Sequence, residues 1–133
     1  MSRLSNLTIV LMLGSLLAAC AGPGGKTANV APLKTTETSL GTVLTDEKGY
    51  SLYTYKHDPM GKSDCSGRCA RKWPPVMVNG ELPAGSDLSV IDRKDGSRQI
   101  AYRGRPLYRW IKDKQPGQVT GHNLGEVWFV AKP

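Results

Sequence analysis

The alternation of hydrophobic and polar positions divides this 133-residue chain into three parts. From Leu7 to Leu17 apolar residues run almost unbroken: Leu7, Ile9, Val10, Leu11, Met12, Leu13, Leu16 and Leu17. That run suits the core of a secretion signal and is shorter than the roughly 20 apolar residues a membrane-spanning helix needs. Residues 21–39 then lack any aromatic side chain and carry Gly22, Pro23, Gly24, Gly25 and Pro32 among Thr and Ser. Such a stretch buries too little apolar surface to offset its ordering entropy, which predicts a flexible tether. Residues 40–133 hold all three Trp, all five Tyr and the one Phe. The core therefore belongs there, in one domain's worth of chain.

Within that domain the period is two, not 3.6. Thr42–Thr45, a turn at Asp46–Gly49 and Tyr50–Tyr55 read as paired strands, rich in β-branched and aromatic residues. Leu88–Asp92, a turn at Lys94-Asp95-Gly96 and Arg98–Arg103 form a second hairpin signal, with Asp-Gly where a tight turn needs positive φ. Arg103-Gly104-Arg105 turns the chain again into Pro106–Ile111, and Glu126–Lys132 is a further strand candidate. Cys69–Trp73 is predicted as a short helical turn. Along each motif strand Leu52 and Leu107 face one way, while Tyr53 with Tyr55 and Tyr108 with Trp110 face the other.

These strands belong to a repeat. Gly49-Tyr50-Ser51-Leu52-Tyr53-Thr54-Tyr55-Lys56-His57-Asp58 matches Gly104-Arg105-Pro106-Leu107-Tyr108-Arg109-Trp110-Ile111-Lys112-Asp113 as Gly-x-x-Leu-Tyr-x-aromatic-x-x-Asp. The offset of 55 holds from Gly41/Gly96 to Trp73/Trp128, with six identical positions in that window. Two units, about 41–73 and 96–128, are expected from this duplication. The predicted architecture is all-β, a small barrel or sandwich built from two related hairpin repeats.

The N-terminal run ends in Leu17-Ala18-Ala19-Cys20, which resembles the bacterial lipobox. The resemblance implies a signal peptide over residues 1–19 and a diacylglyceryl-modified Cys20 at the start of the mature chain, held to membrane lipid by its acyl chains. Ala21 stands where an aspartate retains many such proteins at the inner membrane. The expected address is therefore the cell envelope, at the periplasmic face of the outer membrane in a Gram-negative host. The net charge of +7 falls to +6 without Arg3, and the basic residues are scattered along the domain. That favours a soluble basic surface among envelope lipids, proteins and polymers over nucleic acid as a partner.

Once Cys20 carries lipid, Cys65 and Cys69 remain, and two cysteines in an exported protein predict a disulfide. The alternative is a Cys-x-x-x-Cys dithiol that holds copper or moves electrons, with His57 and Met60 as further ligands. Asp58 and Asp113, just past the motif strands, suit loop caps. As a carboxylate pair they also permit a cell-wall or polysaccharide hydrolase, the lesser alternative. The chain has no Gly-x-Ser-x-Gly, His-Glu-x-x-His, Walker or Gly-x-Gly-x-x-Gly motif, and no catalytic residue, resident metal or cofactor is expected.

Tyr-x-aromatic-x-x-Asp twice, with Cys-Ser-Gly-Arg-Cys and Trp73-Pro74-Pro75 after the first copy, resembles the secreted-repeat lipoproteins defined by a Tyr-x-(Phe/Trp/Tyr)-x-x-Asp motif. The resemblance covers Leu40–Lys132 and implies an exported lipoprotein without an assigned activity. The first reading is therefore non-enzymatic binding of a protein, polymer or small ligand through Tyr53, Tyr55, Tyr108 and Trp110, with the copper or redox dithiol and the hydrolase as its alternatives.

Overall fold

A computed structural model describes residues 33–78 and 80–133. The apolar run, Cys20 and the tether as far as residue 32 lie outside the described residues. The described strands are β1 (Lys34–Thr38), β2 (Gly41–Thr45), β3 (Tyr53–Tyr55), β4 (Leu88–Asp92), β5 (Arg98–Tyr102), β6 (Arg105–Pro106) and β7 (Trp128–Val130). One short helix, α1 (Arg68–Lys72), lies between β3 and β4, where the helical turn was expected. The fold is all-β and duplicated. Antiparallel ladders join β1 to β2, β3 to β7, and β4 to β5 to β6.

The second hairpin forms as its sequence predicts. β4 and β5 pair from Leu88↔Tyr102 to Asp92↔Arg98. Their turn closes through Gly96 at φ 82° and through Asp95, whose carboxylate accepts the Ser97 N–H at 2.9 Å.

Three expectations need correction. Described structure reaches into the segment expected as tether: Leu33 packs against the core, and Lys34–Thr38 pairs with Gly41–Thr45 throughout. Its threonines are good strand formers whose partner lies only a turn away, so no large apolar side chain is required. The strand expected at Pro106–Ile111 stops at Pro106, after which Tyr108 makes single bridges to Tyr53 and Pro75. Proline at 75 and 106 has no N–H with which to extend those ladders. The hairpin expected from Thr42–Thr45 and Tyr50–Tyr55 is a bridge at Thr45↔Ser51 rather than a ladder, and Tyr53–Tyr55 turns away to pair with β7.

The two repeats complete each other. Leu52 N–H donates to the Leu44 carbonyl (2.9 Å), Leu44 N–H to Ala131 (2.8 Å), and Ala131 N–H back to Leu52 (2.8 Å). Leu107, Ile100 and Val76 close an equivalent ring at 3.0, 2.8 and 2.9 Å. Each ring takes two members from one repeat and the third from the tail of the other. Leu52/Leu107 and Val76/Ala131 keep the offset of 55, but Leu44 matches Ile100, because the connection to Leu107 is one residue shorter than the connection to Leu52.

The strand alternation sorts the core into two clusters. Leu44, Leu52, Val78, Ile100, Leu107 and Ala131 form one. Val43, Tyr53, Cys65, Trp73, Tyr108, Trp110, Trp128 and Val130 form the other. Neighbours in sequence such as Leu52/Tyr53 and Leu107/Tyr108 thus serve opposite clusters, as a period of two requires.

Candidate functional site

The residues of the repeated motif meet in the aromatic cluster. Trp73 and Trp128, equivalent positions, stack on each other with centroids 3.9 Å apart and planes 5° apart. Trp110 stacks outside Trp73 at 4.1 Å and Tyr55 outside Trp128 at 4.5 Å. Tyr53 meets Trp73 edge-on at 5.3 Å, and Tyr108 meets Trp128 edge-on at 5.2 Å. Each such pair contributes about 0.5–1.5 kcal/mol beyond its buried area. Gly121 passes against this column. A Cβ there would lie 2.7 Å from Trp73 Cη2 and 3.0 Å from Trp110 Cγ, so only glycine fits without a shift of the rings.

The tyrosines tie the repeats together with their hydroxyls. Tyr53 donates to Asp113 Oδ2 at 2.5 Å and Tyr108 to Asp58 Oδ2 at 2.6 Å, each reaching the other repeat's aspartate. The second oxygen of each carboxylate caps its own loop. Asp58 accepts the Asp64 N–H at 2.8 Å, and Asp113 accepts the Thr120 N–H at 3.1 Å and the Thr120 hydroxyl at 2.6 Å. Short O–H···O⁻ bonds of this kind are charge-assisted and about twice as strong as neutral ones. Burial first, and then the bonded carboxylate, push both phenols well above their ordinary range, so they remain protonated donors.

Asp58 is half-buried, and that burial raises its carboxyl above the ordinary value of 3.8, against the lowering effect of the Tyr108 and Asp64 hydrogen bonds. A carboxyl raised on folding contributes stability that is complete below its unfolded value and is lost as pH rises through its folded value. Asp58→Asn removes that loss. In urea titrations the variant should gain on the wild type as pH rises from below 3.8 towards neutrality. An advantage that shrinks over the same range would mean that folding depresses this carboxyl instead.

A second polar cluster surrounds Arg93, at the end of β4. Its Nη1 donates to Ser63 Oγ and to Gln99 Oε1, both at 2.8 Å, and its Nη2 donates to the Cys65 carbonyl at 2.6 Å. Ser63 Oγ lies 2.6 Å from the Tyr108 hydroxyl, which itself donates to Asp58. Hydrogen bonds thus run in one direction from guanidinium to serine to tyrosine to carboxylate. Gln99 is fully buried and passes its own amide N–H to the Leu107 carbonyl at 2.8 Å. Cys65 and Cys69 are joined in a disulfide, as expected, with Cys65 fully buried. A loop this short contributes about 2 kcal/mol in the chain-entropy picture, and it holds the Cys65 carbonyl against Arg93.

The motif residues do not form a binding face. Tyr53, Tyr108 and Trp110 are buried and Tyr55 is half-buried, and the rings expected to meet a ligand pack instead on Trp73 and Trp128. Apolar area on this scale lowers the free energy most when it is sealed inside the molecule. The two aspartates do sit at loop caps, and each carboxylate already accepts on both oxygens. His57 is exposed with its ring edge-on to Tyr55, and Met60 is exposed over Gly104. Among the described residues no three His, Cys, Asp or Glu side chains gather closely enough to hold a metal ion. Thiolate ligation by Cys65 and Cys69 would first require their disulfide to be reduced.

Arg93, Ser63 and Gln99 did not stand out in the sequence. Arg93 reads there as one of many scattered surface cations, and only Gln99, a polar residue beside Ile100 and Ala101, hints at a polar group facing inward.

A family described as a secreted repeat of unknown function, Lipoprotein_15, matches the chain twice, over residues 34–77 and 89–132. The protein belongs to this secreted-repeat family. Both matches begin at or next to a first hairpin strand, β1 or β4, so the family unit includes the strand that the tether reading left out. Both also extend past the tryptophans into the tails that the repeats exchange. Membership places the chain among secreted proteins, outside the cytoplasm. No curated protein and no solved structure matches it.

Proposed function

We propose that this secreted-repeat protein is a lipid-anchored module of the cell envelope, held by an acylated Cys20 and working by binding rather than by catalysis. The observation that carries the non-enzymatic reading is the cross-repeat pairing of Tyr53 with Asp113 and Tyr108 with Asp58. The titratable groups of the motif are engaged in holding two half-sheets together, so the motif is structural. A rigid, cross-braced domain on a tether suits a protein that presents a surface to an envelope protein or polymer. Ala21 favours the outer membrane's periplasmic face in a Gram-negative host.

Metabolic labelling with a radioactive fatty acid tests the anchor. The wild-type chain should take up label and sediment with membranes, and Cys20→Ser should lose the label and stay with the uncleaved precursor. Label that persists in Cys20→Ser would remove Cys20 as the anchor.

A further inference from the structure

The duplication accounts for the tyrosines, aspartates and tryptophans, and the fold consumes them. It does not account for the disulfide loop or for Arg93. The positions equivalent to Cys65 and Cys69 are Thr120 and Leu124, and neither residue at the first-hairpin position matching Arg93, Glu37 or Thr38, is basic. What one repeat has and the other lacks lies together, because α1 and the disulfide loop face the turn between β4 and β5. Between them is a pocket of about 320 Å³, lined by Ser63, Ser66, Arg93, Lys94 and Asp95 among others.

The charge in this pocket is unbalanced. The side-chain ion pairs of the described residues are Arg103–Asp87 and Arg109–Asp46, and Arg93 has none. Three neutral acceptors fix its guanidinium; its hydrogen-bonded path to Asp58 runs through two hydroxyls, and its charge acts through space on Asp58 and Asp95 without pairing with either. Its Nε is buried without a partner, as is that of Arg109, but Arg109 has Asp46 at 2.5 Å as counter-charge. A guanidinium held partly out of water, with its Nε unpaired and no carboxylate in contact, is costly to keep. Asp95, in the same lining, spends its Oδ1 on the Ser97 N–H and hydroxyl, whose hydrogen bonds hold its carboxyl below the ordinary range. Arg93 and Lys94 together therefore exceed it by one positive charge.

We propose that the pocket between the disulfide loop and the β4–β5 turn binds a small ligand through one oxyanion, a carboxylate or a phosphate, held by Arg93 and Lys94 with the Ser66 hydroxyl. A guanidinium already oriented by its neighbours loses little freedom on binding such a group. Asp95 repels a second negative charge, so singly charged groups should be preferred over polyanions.

The test uses the full chain, disulfide intact, extracted from membranes in detergent. It is titrated at constant ionic strength with acetate and, separately, with inorganic phosphate, while the amide signals of Lys94 and Asp95 are followed by NMR. Saturable shifts at millimolar concentration or below are expected with at least one of the two, and the one that binds identifies the ligand class. Arg93→Gln should weaken binding roughly tenfold or more, the loss of a charge-assisted hydrogen bond. Lys94→Gln, at an exposed position that leaves the core untouched, should weaken it several-fold and carries the test if Arg93→Gln fails to fold. Absence of saturation with both anions overturns the proposal, as does binding that survives Lys94→Gln unchanged. Neither result bears on the anchoring of Cys20, which labelling decides separately.

Discussion

Trp73→Ala should destabilise the domain by about 3–5 kcal/mol, a large part of the roughly 5–15 kcal/mol that holds a domain of ordinary stability together. Trp73 is one of the two inner members of the aromatic column, stacked on Trp110 at one face and Trp128 at the other, with Tyr53 packed edge-on. Removing it leaves a cavity that the rings cannot close, because the pairs Tyr53–Asp113 and Tyr108–Asp58 hold the tyrosines in place. It also removes the surface against which Gly121 is packed. Urea unfolding followed by far-ultraviolet circular dichroism measures the loss. Ile111→Ala, at a residue 42% exposed, serves as control and should change stability by no more than about 0.5 kcal/mol. Equal effects from the two substitutions would show that the column does not organise the core.

Tyr53→Phe should destabilise by about 2–3 kcal/mol although it removes a single oxygen. Asp113 is only 4% exposed, and its Oδ2 has the Tyr53 hydroxyl as its partner, so the substitution leaves a buried carboxylate oxygen unpaired. The Gly121 N–H, 3.3 Å from the same hydroxyl, loses its acceptor as well. The equivalent Tyr108→Phe should have a smaller effect, because Asp58 is half-buried and water can take the vacated position. A double-mutant cycle with Asp113→Asn isolates the interaction. A coupling energy above about 1 kcal/mol is expected for groups in direct contact, and a value near zero would mean that the cross-repeat bond adds nothing to the fold.

These two substitutions bear on why a short motif recurs at a fixed distance. A tyrosine whose hydroxyl must reach an aspartate of the other repeat has no partner in its own. Likewise, Ala131 completes the backbone ring of the first repeat and Val76 that of the second. Neither repeat closes its own sheet, so the unit that folds is the pair. The disulfide loop and Arg93, present once, lie outside this reciprocity, and there the structure has room for a specific function.

What the sequence determined by itself is the strand alternation and those local turns that carry their own chemistry, though it missed the threonine strand β1 and put a hairpin where Thr45 and Ser51 make a single bridge. Leu52 and Leu107 face one cluster and Tyr53 and Tyr108 the other because successive strand side chains alternate, whatever the partner strand. The β4–β5 hairpin, the helical turn at α1 and the Cys65–Cys69 bond were legible for the same reason, since the groups that make them lie within a few residues of one another. Partner choice is not local. Only the tertiary structure decided that β3 leaves Thr42–Thr45 for β7, that each tail crosses to the other repeat, and that each tyrosine finds the distant aspartate. It also decided the fate of the four repeated rings. A period of two places them on one side of a strand but does not say whether that side meets water or the core; here it packs on the Trp73–Trp128 pair, and the two tyrosine hydroxyls that go inward find the other repeat's aspartates.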